Sequence, residues 1–184
     1  MPRLLLLLLR HAKSAWDDPR LADIDRPLAP RGHRAAQLIA EAIEKRGLRP
    51  DRILCSPALR TRETLAALVS HLGDDHVNIE ISPALYEPHA GDYCAVIADH
   101  GDDAKTLLII GHNPAIQATA IILCGRANRE IGAEMAAKFP TAALAIIDFD
   151  EPDWSRLRAR SGTPIAFMTP KSLAKGTGEH DGDD

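Results

Sequence analysis

The sequence predicts an α/β fold in three layers, with a mostly parallel central sheet, helices on both faces and an antiparallel strand at one edge. Short apolar runs alternate along the chain with longer amphipathic stretches, as they do in repeated βαβ units. The first run, residues 4–9, is six consecutive leucines, which is typical of a strand buried on both faces. The last two runs, residues 143–149 and 164–168, have no helical pattern between them and predict an antiparallel hairpin.

The elements of the first half follow from periodicity and from helix-start residues. After the leucine strand, apolar residues recur at helical spacing over residues 35–43 and predict the first helix. Residues 52–55 form a second short apolar run. Ser56 and Pro57 then have the residue types expected at the N-cap and first position of a helix.

The second half is less regular but keeps the same alternation. The pattern predicts a short strand over residues 78–81, a weak helix over residues 93–100 and another buried strand over residues 106–110. Asn113 and Pro114 repeat the helix-start chemistry of the earlier strand end, and an apolar helix is predicted after them.

Length and composition limit the class of protein. The 184 residues accommodate one domain, which we expect to span residues 1–174. Residues 175–184 are mainly glycine and charged types with nothing to bury, so a disordered tail is predicted there. The net charge of −4 argues against nucleic acid or an anionic membrane as a partner.

Two features bear on location. The leucine run resembles a secretory signal core, but it is shorter than the usual minimum of about 7 residues, and Arg10, His11 and Lys13 stand where a cleavage region is small and neutral. It is also too short to span a bilayer. No CxxC pair is formed by the three cysteines, Cys55, Cys94 and Cys124. Free thiols are typical of a reducing compartment, so we predict a cytoplasmic protein.

Polar residues follow three of the predicted strands at their carboxyl ends. In chain order they are Arg10 and His11, Ser56 with Arg60 one helical turn later, and His112 with Asn113. Each group alone is ordinary loop, surface or capping chemistry. Because the carboxyl ends of parallel strands meet at one edge of a sheet, we expect the three groups to converge on one crevice. Two guanidiniums and two imidazoles together favour an anion with several oxygens, such as phosphate.

Three motifs at these positions resemble a known family. RHAKSAW after the first strand, SPALRTRET at the second helix and GHNP after the later strand resemble the signature elements of the histidine phosphatase superfamily, also called the phosphoglycerate mutase-like superfamily. DRPLAPRG, residues 25–32, and the short chain are similar to its SixA-type phosphohistidine phosphatase branch. The resemblance covers about residues 4–167.

The resemblance implies that His11 is the nucleophile, and that Arg10, Arg60 and His112 surround the phosphoryl oxygens with it. General physical chemistry agrees with these roles, because neighbouring guanidiniums favour a neutral imidazole and stabilise a transferring phosphoryl group. The sequence has no carboxylate cluster at metal-ligand spacing. We therefore predict catalysis without a metal or another cofactor.

A phosphomonoester leaving group needs a general acid, and Glu87 in ALYEPHAGDY is the candidate, with Asp92 in reserve. The alternative is that Glu87 is an exposed loop carboxylate. In SixA-type proteins a dedicated carboxylate here is dispensable, which the resemblance links to a phosphohistidine imidazole that departs readily.

Residues near these motifs receive simpler interpretations. Lys13, Ser14 and Trp16 follow the nucleophile and can line the mouth of the crevice, although Lys13 is also explained by solvation and Trp16 by packing. Asp25 is expected to pair with a nearby arginine, and Glu63 to be a solvated helix residue.

The leading hypothesis is a metal-independent phosphatase that forms a phosphohistidine intermediate on His11 and acts on protein phosphohistidine. The protein substrate is favoured because the segment between the second helix and Thr106 is too short to supply a lid. Two alternatives stay open: a small-molecule phosphomonoesterase that uses Glu87 as acid, and a catalytically silent phosphate-binding module. The expected partner is thus a phosphorylated protein or a small phosphoester.

Overall fold

The computed structural model describes residues 3–72, 77–87, 91–125 and 127–176. A central sheet of six strands has the order β3-β2-β4-β1-β5-β6. The strands are β1 Leu4–Arg10, β2 Arg52–Cys55, β3 Asn78–Ile81, β4 Thr106–Gly111, β5 Leu144–Phe149 and β6 Thr163–Met168. The helices are α1 Pro30–Lys45, α2 Leu59–Val69, α3 Cys94–His100, α4 Ala115–Leu123, α5 Arg129–Ala137 and α6 Pro170–Gly176.

The sheet is mostly parallel, as the sequence predicts. Strands β1 to β4 all run the same way, and β5 runs antiparallel to both of its neighbours, β1 and β6. The predicted terminal hairpin at the sheet edge is therefore confirmed. The strand that runs opposite to the others is β5, one position in from the edge.

The leucine run builds both faces of the core. Leu6 and Leu8 pack into one apolar cluster with residues of α3, α4 and α5. Leu7 and Leu9 enter the second cluster, on the opposite face, with residues of α1 and α2. Successive strand side chains point to opposite faces, so a central strand covered on both sides needs apolar residues at every position.

Two helices of the structure are absent from the sequence prediction. Helix α5 buries one side chain fully, Met135, and the seven-residue α6 packs through the half-buried Leu173. Neither helix presents a repeated stripe of apolar residues to the core, so neither gives a periodic signal in the sequence. Helix α6 ends at Gly176; residues 177–184 of the predicted tail lie outside the described residues. In the described ranges, no helix is both long and apolar enough to cross a membrane.

The register of the central strands positions the site. Strands β1 and β4 are adjacent and parallel, with Arg10 opposite Gly111. The next residues, His11 and His112, therefore leave the sheet side by side. The backbone N–H of His11 still donates to the Gly111 carbonyl at 3.0 Å, so the ladder continues to the first imidazole.

Candidate active site

The predicted convergence at the sheet edge occurs. A cavity of about 400 Å³ is lined by Arg10, His11, Arg60 and His112, and Glu87 also contributes to its wall. The imidazole centroids of His11 and His112 are 5.0 Å apart. Three separate strand ends thus place two imidazoles and two guanidiniums around one space.

The His11 ring is oriented by a single backbone contact. Its Nδ1 lies 2.7 Å from the carbonyl oxygen of Ala12, and a carbonyl can only accept, so Nδ1 carries the proton. The neutral ring then has its lone pair on Nε2. Burial, reinforced by the charges of His112, Arg60 and Arg10 and opposed by the Ala12 contact, lowers the pKa of His11 to about 3. His11 is therefore a neutral, uncharged base at physiological pH.

His112 has the opposite tautomer. A guanidinium only donates, so the 3.3 Å contact from Arg60 makes Nδ1 of His112 an acceptor, and Nε2 donates to Oγ of Ser56 at 2.7 Å. Burial, followed by the charge of Arg60, lowers the pKa of His112 to about 4. The two neighbouring imidazoles, tilted by 56° to one another, are both neutral, with their protons on different nitrogens.

Arg10 is anchored on the far side of the cavity. Its Nη1 donates to the carbonyl of Phe139 at 2.8 Å, and Nδ2 of Asn113 donates to the same oxygen at 3.2 Å. Within the described ranges, Nε of Arg10 and Oδ1 of Asn113 are buried without a hydrogen-bond partner. A buried polar group without a partner is costly, so a small shift that brings a water or a ligand atom to either of them is favourable.

The carboxylate that joins the arginines was missed by the sequence analysis. Asp23 accepts from Arg26 at 2.8 Å, from Arg60 at 2.9 Å and from the Tyr86 hydroxyl at 2.9 Å. Burial opposes its ionisation, but these hydrogen bonds and the charge of Arg60 lower the pKa of Asp23 to about 2. The expected pairing of Asp25 with an arginine is wrong, since Asp23 makes it. Asp23 lies in a three-residue 3-10 turn, which has no sequence pattern.

Comparisons with known proteins agree with this geometry. The family model of the histidine phosphatase superfamily (branch 1) matches residues 6–95. A candidate SixA phosphohistidine phosphatase from Agrobacterium tumefaciens is 30% identical, with 91% of this chain and 98% of that chain covered and a TM-score of 0.73. The chain belongs to the histidine phosphatase superfamily.

Other relatives extend over nearly the whole histidine phosphatase chain. A candidate SixA phosphohistidine phosphatase from Nakamurella multipartitia is 29% identical, covering 92% of this chain and 98% of that chain, with a TM-score of 0.77. An uncharacterised protein of Mycobacterium tuberculosis strain H37Rv is 34% identical over 165 residues, 89% of this chain and 100% of that protein. Family and neighbouring structures identify the protein as a phosphatase, a hydrolase.

In this histidine phosphatase the two residues predicted to cap helices, Ser56 and Asn113, instead make hydrogen bonds in the active site. Helix α2 begins at Leu59 and α4 at Ala115, so the predicted N-caps Ser56 and Asn113 are wrong. The Ser56 hydroxyl contacts His112, and the Asn113 amide contacts Phe139. The tertiary partners of both side chains outcompete local capping.

Two further residues hold the backbone that carries the imidazoles, and a third, Glu63, ties down a neighbouring loop. The Tyr93 hydroxyl accepts from the backbone N–H of His112 at 3.0 Å and donates to the Leu85 carbonyl at 2.8 Å. Thr64 accepts from the backbone N–H of Ala12 at 3.1 Å. Glu63, expected to be solvated, instead accepts from the backbone N–H of Leu28. None of these contacts has a local sequence signal, because each joins distant segments.

The remaining candidates lie at the mouth of the cavity or away from it. Glu87 is exposed at the rim, and Lys13, Ser14 and Trp16 line the same cavity. Asp92 accepts from the backbone N–H of Cys94 at 2.8 Å, so its carboxylate is engaged at the start of α3.

Positive charge in the site comes from side chains. The described parts of the chain contain no group of three or more His, Cys, Asp or Glu side chains placed to hold a metal ion. Arg10, Arg26, Arg60 and Lys13 are the cationic side chains that line the cavity.

Proposed function

We propose that this histidine phosphatase transfers a phosphoryl group to Nε2 of His11 and then to water, with a phosphohistidine on another protein as substrate. The observation that carries the proposal is the His11 tautomer: Nδ1 is fixed by the Ala12 carbonyl, which leaves the Nε2 lone pair in a cavity lined by three arginines, Arg10, Arg26 and Arg60. A nucleophile must be unprotonated at the attacking atom, and His11 meets this condition without a base.

The first step forms the Nε2–P bond and breaks the bond from phosphorus to the substrate imidazole. That ring carries a proton on its other nitrogen, so it keeps the electron pair of the broken bond and leaves as neutral imidazole. In the second step water attacks phosphorus, the Nε2–P bond breaks, and Nε2 recovers its lone pair. The proton of the attacking water goes to solvent. The phosphoryl group thus moves from the substrate nitrogen to Nε2 of His11 and then to the oxygen of water. No oxidation or reduction takes place.

The arginines stabilise the charge on the three equatorial oxygens during both steps, and this stabilisation makes a metal ion unnecessary. Arg10 has a buried Nε–H that no protein acceptor uses in the described ranges. His112 is neutral in the free site, where its Nδ1 accepts from Arg60. A phosphoryl dianion beside the ring favours uptake of a proton on Nδ1, and once this N–H turns from the guanidinium to the dianion the ring donates to an oxyanion.

A protein-borne substrate is supported by the rim of the cavity. Trp16 is 73% exposed, and the side chain of Asp23 is 53% exposed. Both residues line the cavity, as does the exposed Glu87. A phosphorylated side chain on a protein surface can therefore approach the imidazole of His11 from solvent. The two candidate SixA phosphohistidine phosphatases also support this substrate class.

One observation favours a second function, hydrolysis of small phosphomonoesters. Glu87 lies on the cavity wall, where its carboxyl can protonate an alkoxide leaving group. The Glu87→Gln variant separates the two functions. It should lose activity on alkyl phosphates and keep activity on phosphohistidine, because an imidazole leaving group is already a weak base.

The substrate is tested with a phosphorylated histidine-containing transfer domain and with small sugar and nucleotide phosphates, compared by kcat/KM. We expect preference for the phosphorylated protein, no activity in His11→Ala, and full activity with a chelator. His33→Ala is the matched control, since His33 is an exposed histidine of α1. Preference for small esters would overturn the protein substrate, and sensitivity to chelator would overturn metal-independent catalysis.

A further inference from the structure

Trp16 is an exposed aromatic residue held at the mouth of the cavity. Its side chain is 73% exposed, whereas the second tryptophan, Trp154, is 1% exposed and donates its indole N–H to the Ala104 carbonyl at 2.7 Å. Trp16 lines the same cavity as His11. An exposed aromatic ring beside a binding cleft offers a face on which a flat ligand can stack.

The indole rests on a fixed guanidinium. Cζ of Arg26 lies 3.1 Å from the ring centroid of Trp16, a stacked cation–π contact. Arg26 itself is 7% exposed and donates to three acceptors: the Ala15 carbonyl at 3.1 Å, Oδ1 of Asp23 at 2.8 Å and Oγ of Ser14 at 2.7 Å. One face of the indole is thus backed by a rigid group, while most of the ring is open to solvent. Such pre-organisation reduces the entropy lost when a ligand stacks on the ring.

The carboxylate of Asp23 fixes the position of the Trp16 indole relative to the phosphoryl site. Asp23 accepts from Arg26 on Oδ1 and from Arg60 on Oδ2. The aromatic platform and the oxyanion-binding arginine are therefore joined through one side chain. A ligand with a phosphoryl group near Arg60 presents its leaving group toward the mouth, where Trp16 lies.

We propose that Trp16 is the specificity-determining residue for the leaving group, and that it selects phosphoryl donors in which phosphorus is attached to a planar conjugated ring over donors with aliphatic groups. The imidazole of phosphohistidine and the ring of an aryl phosphate belong to this class. The proposal rests on the proposed function, because it assigns the leaving group of the same phosphoryl transfer.

Two non-hydrolysable ligands of similar size test it. Phenylphosphonate has a flat conjugated ring, and cyclohexylphosphonate has a saturated ring of the same carbon number. Their dissociation constants are measured by titration calorimetry on the intact protein and on Trp16→Leu and Trp16→Phe, with far-UV circular dichroism to verify folding. We expect the wild type to prefer phenylphosphonate by about three- to tenfold. Trp16→Leu should lose this preference, and Trp16→Phe should keep most of it.

An unchanged preference in Trp16→Leu, a wild type without preference, or a failure of both phosphonates to bind would overturn the assignment of Trp16. A failure of the proposed function would give a different result. If the wild type binds the two phosphonates with different affinities but hydrolyses no phosphorylated substrate, the role of Trp16 in ligand binding stands and the phosphatase mechanism is wrong. The ratio of two affinities also cancels a general loss of active protein in any variant.

Discussion

At the residue scale, the central feature is a pair of neutral imidazoles that carry their protons on different atoms. His11 is protonated on Nδ1 by its contact with a backbone carbonyl, and His112 on Nε2 by its contact with Ser56. Both rings are nearly buried, at 8% and 9% exposure. The hydrogen-bond partners of each ring thus determine its proposed role: nucleophile for His11 and oxyanion donor for His112.

The ionisation of His11 can be measured directly. Burial and the nearby positive charges lower its pKa to about 3, against 6.5 for an ordinary histidine. In a ligand-free ¹⁵N NMR titration, we expect His11 to stay neutral from pH 8 to pH 5, with the chemical shifts of the Nδ1–H tautomer. The spectrum of His11→Ala assigns the signal. A titration midpoint near 6.5 would contradict the description of the site as a preformed neutral nucleophile.

Asp23 places a negative charge beside the arginine that is proposed to bind the oxyanion. Asp23→Asn keeps the shape and removes the charge, so we expect tungstate to bind several-fold more tightly. Stability should fall by no more than about 1 kcal/mol, because the ion pairs of Asp23 are partly exposed. The matched control is Asp25→Asn, an exposed carboxylate in the same turn. Weaker tungstate binding to Asp23→Asn would mean that the carboxylate serves mainly to hold Arg60.

At the element scale, the site depends on how closely β4 approaches Tyr93. A Cβ on Gly111 would lie 2.6 Å from the Tyr93 hydroxyl oxygen, and Tyr93 is fully buried. Glycine is required here for close approach, because the hydroxyl that occupies this space also holds the backbone of His112.

Gly111→Ala should therefore cost about 1–3 kcal/mol in urea unfolding and lower kcat by displacing His112. Gly132→Ala is the matched control: Gly132 lies in α5, and a Cβ there meets nothing within 4 Å. That substitution should leave kcat unchanged and raise stability by up to about 1 kcal/mol, the helix preference of alanine over glycine. Equal effects of the two substitutions would show that the Gly111 contact does not position His112.

The strands and the long helices could be predicted from the sequence, because their signal is local. The predicted boundaries of β2 and β3 agree with the structure, and the residues that end β1 and β4 were correctly placed at one edge. The roles of Ser56, Asn113 and Glu63 could not be predicted, since their side chains bind groups far away in sequence. Asp23 has no periodic context, and only the tertiary fold brings it to Arg60.

At the scale of the whole molecule, the site reduces stability in acid. The folded pKa values of His11 and His112, about 3 and about 4, lie below the ordinary value. Below pH 6.5 the unfolded chain therefore binds protons that the folded chain does not. Stability is lost as the pH falls from 6.5 toward 4, with a slope of about 1 kcal/mol per pH unit for each histidine.

Urea unfolding at pH 7 and pH 5 checks this linkage. We expect the wild type to lose more stability between the two pH values than the double variant His11→Asn, His112→Asn, in which neither side chain titrates. The exposed histidines contribute equally to both proteins and cancel in the comparison. Equal pH dependence of the two proteins would mean that the imidazoles are not held neutral by the fold.

The sheet topology explains why so few residues suffice for the site. Neighbouring central strands β1 and β4 deliver the two imidazoles, and the adjacent β2 leads to Ser56 and the helix that carries Arg60. The carboxyl edge of a parallel sheet is where such ends meet in an open α/β fold. The order of the strands therefore determines which catalytic side chains lie next to one another. The loop between β1 and α1 adds Trp16, Asp23 and Arg26 to this group.

The most direct test of a covalent mechanism is ³¹P NMR and mass spectrometry of the protein quenched at alkaline pH during turnover, where a phosphorus–nitrogen bond survives. We expect one phosphoryl group per active site, attached to Nε2 of His11, that disappears as inorganic phosphate accumulates. Turnover without phosphorus on His11, or turnover that persists in His11→Ala, would contradict nucleophilic attack by this imidazole.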